Sequence, residues 1–271
     1  DRGGVLAVGY DVLFADPSQL DPQGDLMLEA MAAGGGGRFV FGSTRLHPDY
    51  DAGSPVTAAR APGAFALSAT PVADPRVALL LPFGESMARF SAVVNVTRND
   101  DGILRDVPLR ETLGDWALPS LPLRVAAVAT GRSPATFAEA VRPNWRQDSR
   151  LPRISAADLL EQGAAVCRES GETLPELRGR VVLVGHTAAG INDAKPTPVD
   201  AVMPGVEVLA EATEALLADS GIRTPPAGLK YLIAVVLSLL AAFAFFRGEP
   251  ANDIDSIFVA TNLVLLGGAY L

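Results

Sequence analysis

Val5 to Phe14 (VLAVGYDVLF) is an almost unbroken apolar, β-prone run, the pattern of a strand covered on both faces in a parallel sheet. Asp11 interrupts it near its carboxyl end. Asp25 to Ala33 has helical spacing, Gly34 to Gly37 break it, and Arg38 to Ser43 reads as a second strand, so the segment predicts a βαβ unit. Arg180 to Gly185 (RVVLVG) is the other clear buried strand. Both it and Val5–Phe14 are expected to be central and parallel, with helices on each face. Pro119 to Thr130 predicts a helix entered through prolines, and Ser155 to Gln162 a second with a near capping box. In a third, Pro204 to Ala218, Val206, Leu209, Thr213 and Leu216 form an apolar stripe opposite Glu207, Glu211 and Glu214, which read as a solvated face.

His47 to Pro82, rich in Pro, Gly, Ala and Asp without periodicity, predicts a long excursion or a layer over the sheet. Ala92 to Thr97 and Ile103 to Leu109 flank Asn99-Asp100-Asp101-Gly102, whose Asp-Gly pair supplies the positive φ of a tight turn, so an added β-hairpin is predicted there. The end of the chain changes character. Leu229 to Phe246 (LKYLIAVVLSLLAAFAFF) and, after a polar break, Ile257 to Leu271 approach the length that crosses a bilayer. They predict a transmembrane helical hairpin, with segments 229–246 and 256–271 inside a membrane region 226–271, behind a folded domain 1–225.

Arg223 and Lys230 suit the headgroup level. Basic residues in the turn, Arg247 alone against three acids, do not set the orientation. Asp1 to Gly4 is polar with no signal peptide, and the last apolar run has no polar flank, so both ends are expected to be cuts in a longer chain.

Of 271 residues 49% are hydrophobic, which excludes a disordered chain, and the 225 before the membrane region suffice for one sizeable core. A net charge of -9 argues against a nucleic-acid partner, since phosphate binding needs a Lys/Arg surplus, and mildly favours cationic ligands. Cys167 is the only cysteine, so no intrachain disulfide forms.

Gly34 to Gly37 follow a helix and precede a strand, the reverse of a phosphate cradle, and read as a helix C-cap and turn. Gly185-His186-Thr187-Ala188-Ala189-Gly190 does follow a strand, where α/β folds bind ligands, but matches neither a Walker loop nor a Gly-x-Ser-x-Gly elbow. With His47 the only other histidine, a catalytic triad has few possible members. The chain has no His-Glu-x-x-His and no Cys-x-x-Cys, which disfavours zinc. Asp11, Asp16 and Asp193 leave a hard cation open, against an ordinary role as turn and cap residues.

One ordered set of motifs carries a resemblance: Gly9 to Phe14, Asp101-Gly102-Ile103-Leu104-Arg105-Asp106-Val107-Pro108-Leu109, Val181 to Gly190, Asp193, Thr197-Pro198 and Met203 to Val208. Together they resemble the type-two CHASE domain, an extracellular sensory module associated with cyclases and histidine kinases, over nearly all of residues 1 to 225. The resemblance implies a bacterial transmembrane receptor of the cytoplasmic membrane with its sensor outside, or periplasmic. It also implies one membrane helix before the sensor, usually three after it, then a cyclase, kinase or diguanylate cyclase output. The first helix, the third following helix and the output are expected in the longer protein. Asp11, Asp101, Arg105, Thr187, Asp193, Thr197 and Pro198 fall on the family's recurring polar and turn positions.

The reading is an α/β three-layer sandwich around a mostly parallel central sheet, with the added β-hairpin and the transmembrane helical hairpin. It acts as a sensory input without chemistry or cofactor of its own, through a population shift in the helix Pro204–Ala218. Asp11, His186, Thr187, Asp193 and Thr197 are the ligand-binding candidates, at the carboxyl ends of the two most sheet-like runs. Asp101, Gly102 and Arg105 hold the hairpin. The expected partners are an unidentified small molecule or cation, the membrane, and a second copy of the chain in a homodimer. Two rivals stand beside this reading, a membrane-anchored hydrolase using Thr187 or a carboxylate pair, and a ligand-free dimerisation scaffold. A cavity lined by Asp11 and Asp193 separates sensing from scaffolding.

Overall fold

Alternation along the first strand fixes what each face meets. In β1 (Ala7–Asp11) Ala7, Gly9 and Asp11 point to one side and Val8 and Tyr10 to the other. The computed structural model describes residues 4–146, 151–161, 177–187, 193–223 and 227–246. β1 pairs in parallel with β2 (Phe39–Arg45) on one side and with β10 (Val181–Gly185) on the other. The further edge of β2 is shared by β5 (Ser91–Val93), which is parallel, and β4 (Leu79–Leu80), which is antiparallel. The principal sheet is therefore mostly parallel, as expected, and the βαβ unit forms.

Helix α1 (Pro22–Gly34) starts three residues before the apolar spacing begins, because Asp21 caps it through Gly24 N–H and Pro22 fits its first turn. It ends in the glycine run, where Gly36 and Gly37 take positive φ (60° and 85°) that other residues resist. α1 and α2 (Glu85–Arg89) pack around Phe41, Met87 and Ala32 on the Tyr10 face, where Tyr10 stacks on Phe41 at 5.0 Å. The opposite face carries α3 (Leu121–Thr130), capped by Ser120 and ended by Gly131 in the left-handed conformation, and α4 (Gly205–Leu217). Leu121, Val125 and Leu209 are buried there against Ala7, Val40 and Ala92. Each such Leu or Val contributes about 1.5–3 kcal/mol by burial. Gly9 is required at this contact, since a Cβ would lie 2.6 Å from Leu183 and 2.9 Å from Val125.

Several expectations are corrected. β1 is Ala7–Asp11 and not the whole run Val5–Phe14. β10 is parallel to β1 but stands at the edge of the sheet among the described residues, and all five of its residues are half-buried. An apolar run reports that faces are covered; it carries no information on whether both edges are paired. The turn at Asp101-Gly102 forms without a hairpin around it. Ser91–Val93 pairs with β2, whereas β6 (Val107–Pro108) pairs with β9 (Ala140–Val141). Pro108 lacks the N–H that a strand needs within a longer ladder.

The hairpin that does form joins β7 (Arg110–Leu113) to β8 (Trp116–Pro119) through Gly114-Asp115, with Gly114 at φ 60°, the position that a tight two-residue loop reserves for glycine. β3 (Phe65–Ala66) adds to β8, and β11 (Ala194–Lys195) pairs with β12 (Met203–Pro204). The described residues thus form a mixed α/β fold of four sheets, the principal one mostly parallel. Glu207 and Glu211 are half-buried, leaving Glu214 alone of the three exposed on the face read as solvated. Glu207 pairs with Arg153 at 2.7 Å.

The chain divides into residues 1–222, described above, and residues 223–271. In the second unit α5 (Ala227–Phe246) follows the first apolar run and leaves Leu232, Leu239 and Phe243 more than half exposed. Among the described residues no helix is long and apolar enough to cross a membrane. Segment 256–271 lies outside the described residues.

Candidate functional site

Asp11 is the last residue of β1 and lies in register with Gly185, the last residue of β10. These two strands meet where the strand order reverses, since β1 leads to β2 on one side while β10 lies on the other. Crevices in open α/β sheets form outside the carboxyl ends of strands at such a point. The edge position of β10 does not close this one, because its far wall comes from α4 and the β11–β12 pair. Gly185 allows the approach: a Cβ there would lie 2.6 Å from Val206 and 3.3 Å from the Asp11 Cβ.

Asp193 directly precedes β11 and reaches the first turn of α4. Gly205 N–H donates to the Asp193 carbonyl at 3.0 Å, and the Asp193 carboxylate lies so close to Gly205 that an added Cβ would be 2.0 Å from Oδ2. Lys195, two residues on and on the same strand face, pairs its Nζ with Asp193 Oδ1 at 2.9 Å. Together with Asp11 these groups line a cavity of about 200 Å³, whose remaining walls include Val12, Val94, Val96 and Leu209.

Burial pushes the Asp11 carboxyl up to about 6, with the nearby Asp193 charge adding to the rise. Lys195 and His186 act in the opposite direction and do not cancel it. The two carboxyls therefore differ in role. Asp193 is held by an ammonium, whereas among the described residues no ion pair holds Asp11.

Of the expected ligand-binding residues, Asp11 and Asp193 come together at the cavity, and His186 lies near enough for its charge to act on Asp11 while remaining exposed. Thr187 is exposed and does not line the cavity. Thr197 is buried, but its hydroxyl and amide are engaged with the backbone of Asp200, closing the loop between β11 and β12. Lys195 is the residue that sequence reasoning missed, although an Asp and a Lys two apart on a strand lie on one face. Asp16 is exposed and lies outside the cavity lining. Among the described residues no three His, Cys, Asp or Glu side chains come together as a metal ion would require.

Asp101, Gly102 and Arg105 build a closed turn away from this cavity. Gly102 takes φ 80° and donates to the Asn99 carbonyl at 2.8 Å, Asp101 accepts from Ile103 N–H, and Arg105 pairs with Asp101. Just beyond, Arg142 holds Asp106 through two hydrogen bonds of 2.8 Å. That pairing keeps the Asp106 carboxyl below the usual carboxylate range.

Against known protein families, residues 1–243 match the family model described as CHASE2 domain. No curated protein and no solved structure matches the chain.

Proposed function

Because the chain belongs to the CHASE2 domain family, an extracellular sensory and non-catalytic family, we propose that it is the extracytoplasmic input domain of a bacterial transmembrane receptor. In this reading occupancy of the Asp11 cavity favours one arrangement of α4. The single observation that carries it is that cavity, which is bounded by β1 on one side and by the first turn of α4 on the other. A ligand held between the two has the differential contacts that a population shift needs.

A bonded route from the cavity to the end of the domain adds support. Leu104 N–H donates to the Pro196 carbonyl at 2.7 Å, next to Lys195. Asp106 is clamped by Arg142, and Ile222 N–H donates to the Arg142 carbonyl at 2.8 Å. Ile222 is the last residue of this unit, and the chain then passes through residues 223–226 to α5. The apolar side chains of α5 are costly to leave in water, which favours a membrane or a second copy of the chain as their environment. The output domain lies in the longer protein.

The reading is tested by thermal unfolding of the full chain against amines, carboxylates, amino acids and divalent cations. The same panel is run on Leu13→Trp, which enlarges an exposed residue of the cavity lining. At least one compound is expected to raise the wild-type melting midpoint and to lose that effect in Leu13→Trp. A panel without effect, or shifts that survive the tryptophan, would overturn the reading.

A further inference from the structure

The cavity is small, and its charges are unevenly matched. A cavity of about 150 Å³ takes a benzene-sized ligand, so about 200 Å³ suits one of about six to eight non-hydrogen atoms. Asp193 and Lys195 neutralise each other at 2.9 Å. This leaves Asp11 as the charge without a counterion among the described lining residues, half-buried at the end of β1 and flanked by Val12, Val94, Val96 and Leu209. A half-dry cavity with one excess negative charge is completed by an occupant with one positive charge and an apolar body.

Other ligand classes fit less well. A divalent metal needs six or more oxygens, whereas two carboxylates, one of them already paired to an ammonium, supply few. An anion would meet two carboxylates against one lysine. A zwitterion of net zero charge would leave the excess in place, and the second ammonium of a short diamine would approach Lys195.

We propose that the cavity takes a small primary aliphatic amine. Its ammonium sits on the Asp11 carboxylate, and its alkyl chain lies between Val12, Val94, Val96 and Leu209. An ammonium offers three donors to a carboxylate, and the charge-assisted bond is strongest where water is partly excluded. This assignment rests on the sensory reading above and names the ligand class for the same site. The charged groups around the Asp11 carboxyl are Asp193 and Lys195 on the β11 side and His186 after β10.

The test is calorimetric titration of the full chain, purified in mild detergent at pH 7.5, with four compounds of one chain length and with Mg²⁺. These are n-pentylammonium, 5-aminopentanoate, pentanoate and 1-pentanol. n-Pentylammonium is expected to bind best. Asp11→Asn should weaken it at least tenfold, and Lys195→Met should strengthen it by removing the competing ammonium. At pH 5 binding should fall about tenfold, because only the ionised fraction of Asp11 is competent, and His186→Gln should leave that fall in place.

Preferred binding of 5-aminopentanoate, pentanoate or Mg²⁺, lost in Asp11→Asn, would overturn the amine assignment while leaving the sensory site standing. Binding of the amine that is equal in wild type and Asp11→Asn would overturn the role of Asp11. Weaker binding in a folded Lys195→Met would overturn the charge argument. If nothing in this series binds and the wider panel above is also silent, both readings fall together.

Discussion

Replacing Asp11 by Asn should remove one contribution to the pH dependence of stability, a contribution that runs opposite to ordinary acid denaturation. The Asp11 carboxyl is raised from an ordinary 3.8 to about 6, first by burial and then by Asp193. A raised carboxyl favours folding where it is protonated, so its contribution is fully present below about pH 4 and is lost as pH rises through about 6. The rise of about two pH units corresponds to about 3 kcal/mol, which partial solvent access reduces toward 2. Asn keeps the shape of the protonated acid and does not ionise.

Urea unfolding of both proteins at pH 4.5 and pH 7.5 measures this, with the result read as a difference of differences. The stability of Asp11→Asn relative to wild type should increase by about 1–2 kcal/mol from the lower to the higher pH, since part of the effect is already lost at pH 4.5, above the unfolded value of 3.8. Other carboxyls held low in the fold, such as Asp51 and Asp106, weaken both proteins in acid and cancel. A relative stability that is flat with pH, or that falls on going to pH 7.5, would refute the placement of Asp11 in a buried, negatively biased site.

Two glycines at the crevice should separate folding from binding. Gly205→Ala presses on the Asp193 carboxyl and on no backbone atom, and adds a better helix former, so the melting midpoint should hold while amine binding changes by severalfold in titration. Gly185→Ala meets the fixed Val206 Cβ at 2.6 Å, and denaturant unfolding should record a loss of about 1–3 kcal/mol. Arg142→Gln removes the pair of hydrogen bonds on Asp106, two half-exposed partners, and should cost about 1 kcal/mol at pH 7. Because Asp106 is held low by that contact, the cost should shrink as pH falls and the carboxyl protonates, which unfolding curves down to pH 3 would follow.

The strands that frame the crevice were legible because Ala7–Asp11 and Val181–Gly185 are continuous β-prone runs, and Asp11 stood out as the one charged residue inside such a run. Asp193 was found by its place after the second strand. Lys195 was not, because the pair it joins has only two residues per strand, far below the length at which alternation becomes readable. The walls Val94 and Val96 were assigned to a hairpin strand, since Asp101-Gly102 fixes a turn locally while partners are chosen by long-range packing. β2, already paired with β1, offered Ser91–Val93 a better edge than a segment containing Pro108. The loop of the β7–β8 hairpin stands in the sequence as Gly114-Asp115, a weaker turn signal than the Asp-Gly pair at Asp101-Gly102.

The central claim is that filling this cavity changes the helix that leads out of the domain. Hydrogen–deuterium exchange on the full chain, with and without saturating n-pentylammonium or whichever panel compound binds, tests it most directly. The account predicts altered exchange in residues 193–195 and in the first turn of α4, continuing along α4 to residues 220–222. Altered exchange confined to the cavity lining, with α4 beyond its first turn and residues 220–222 unchanged at full occupancy, would contradict it.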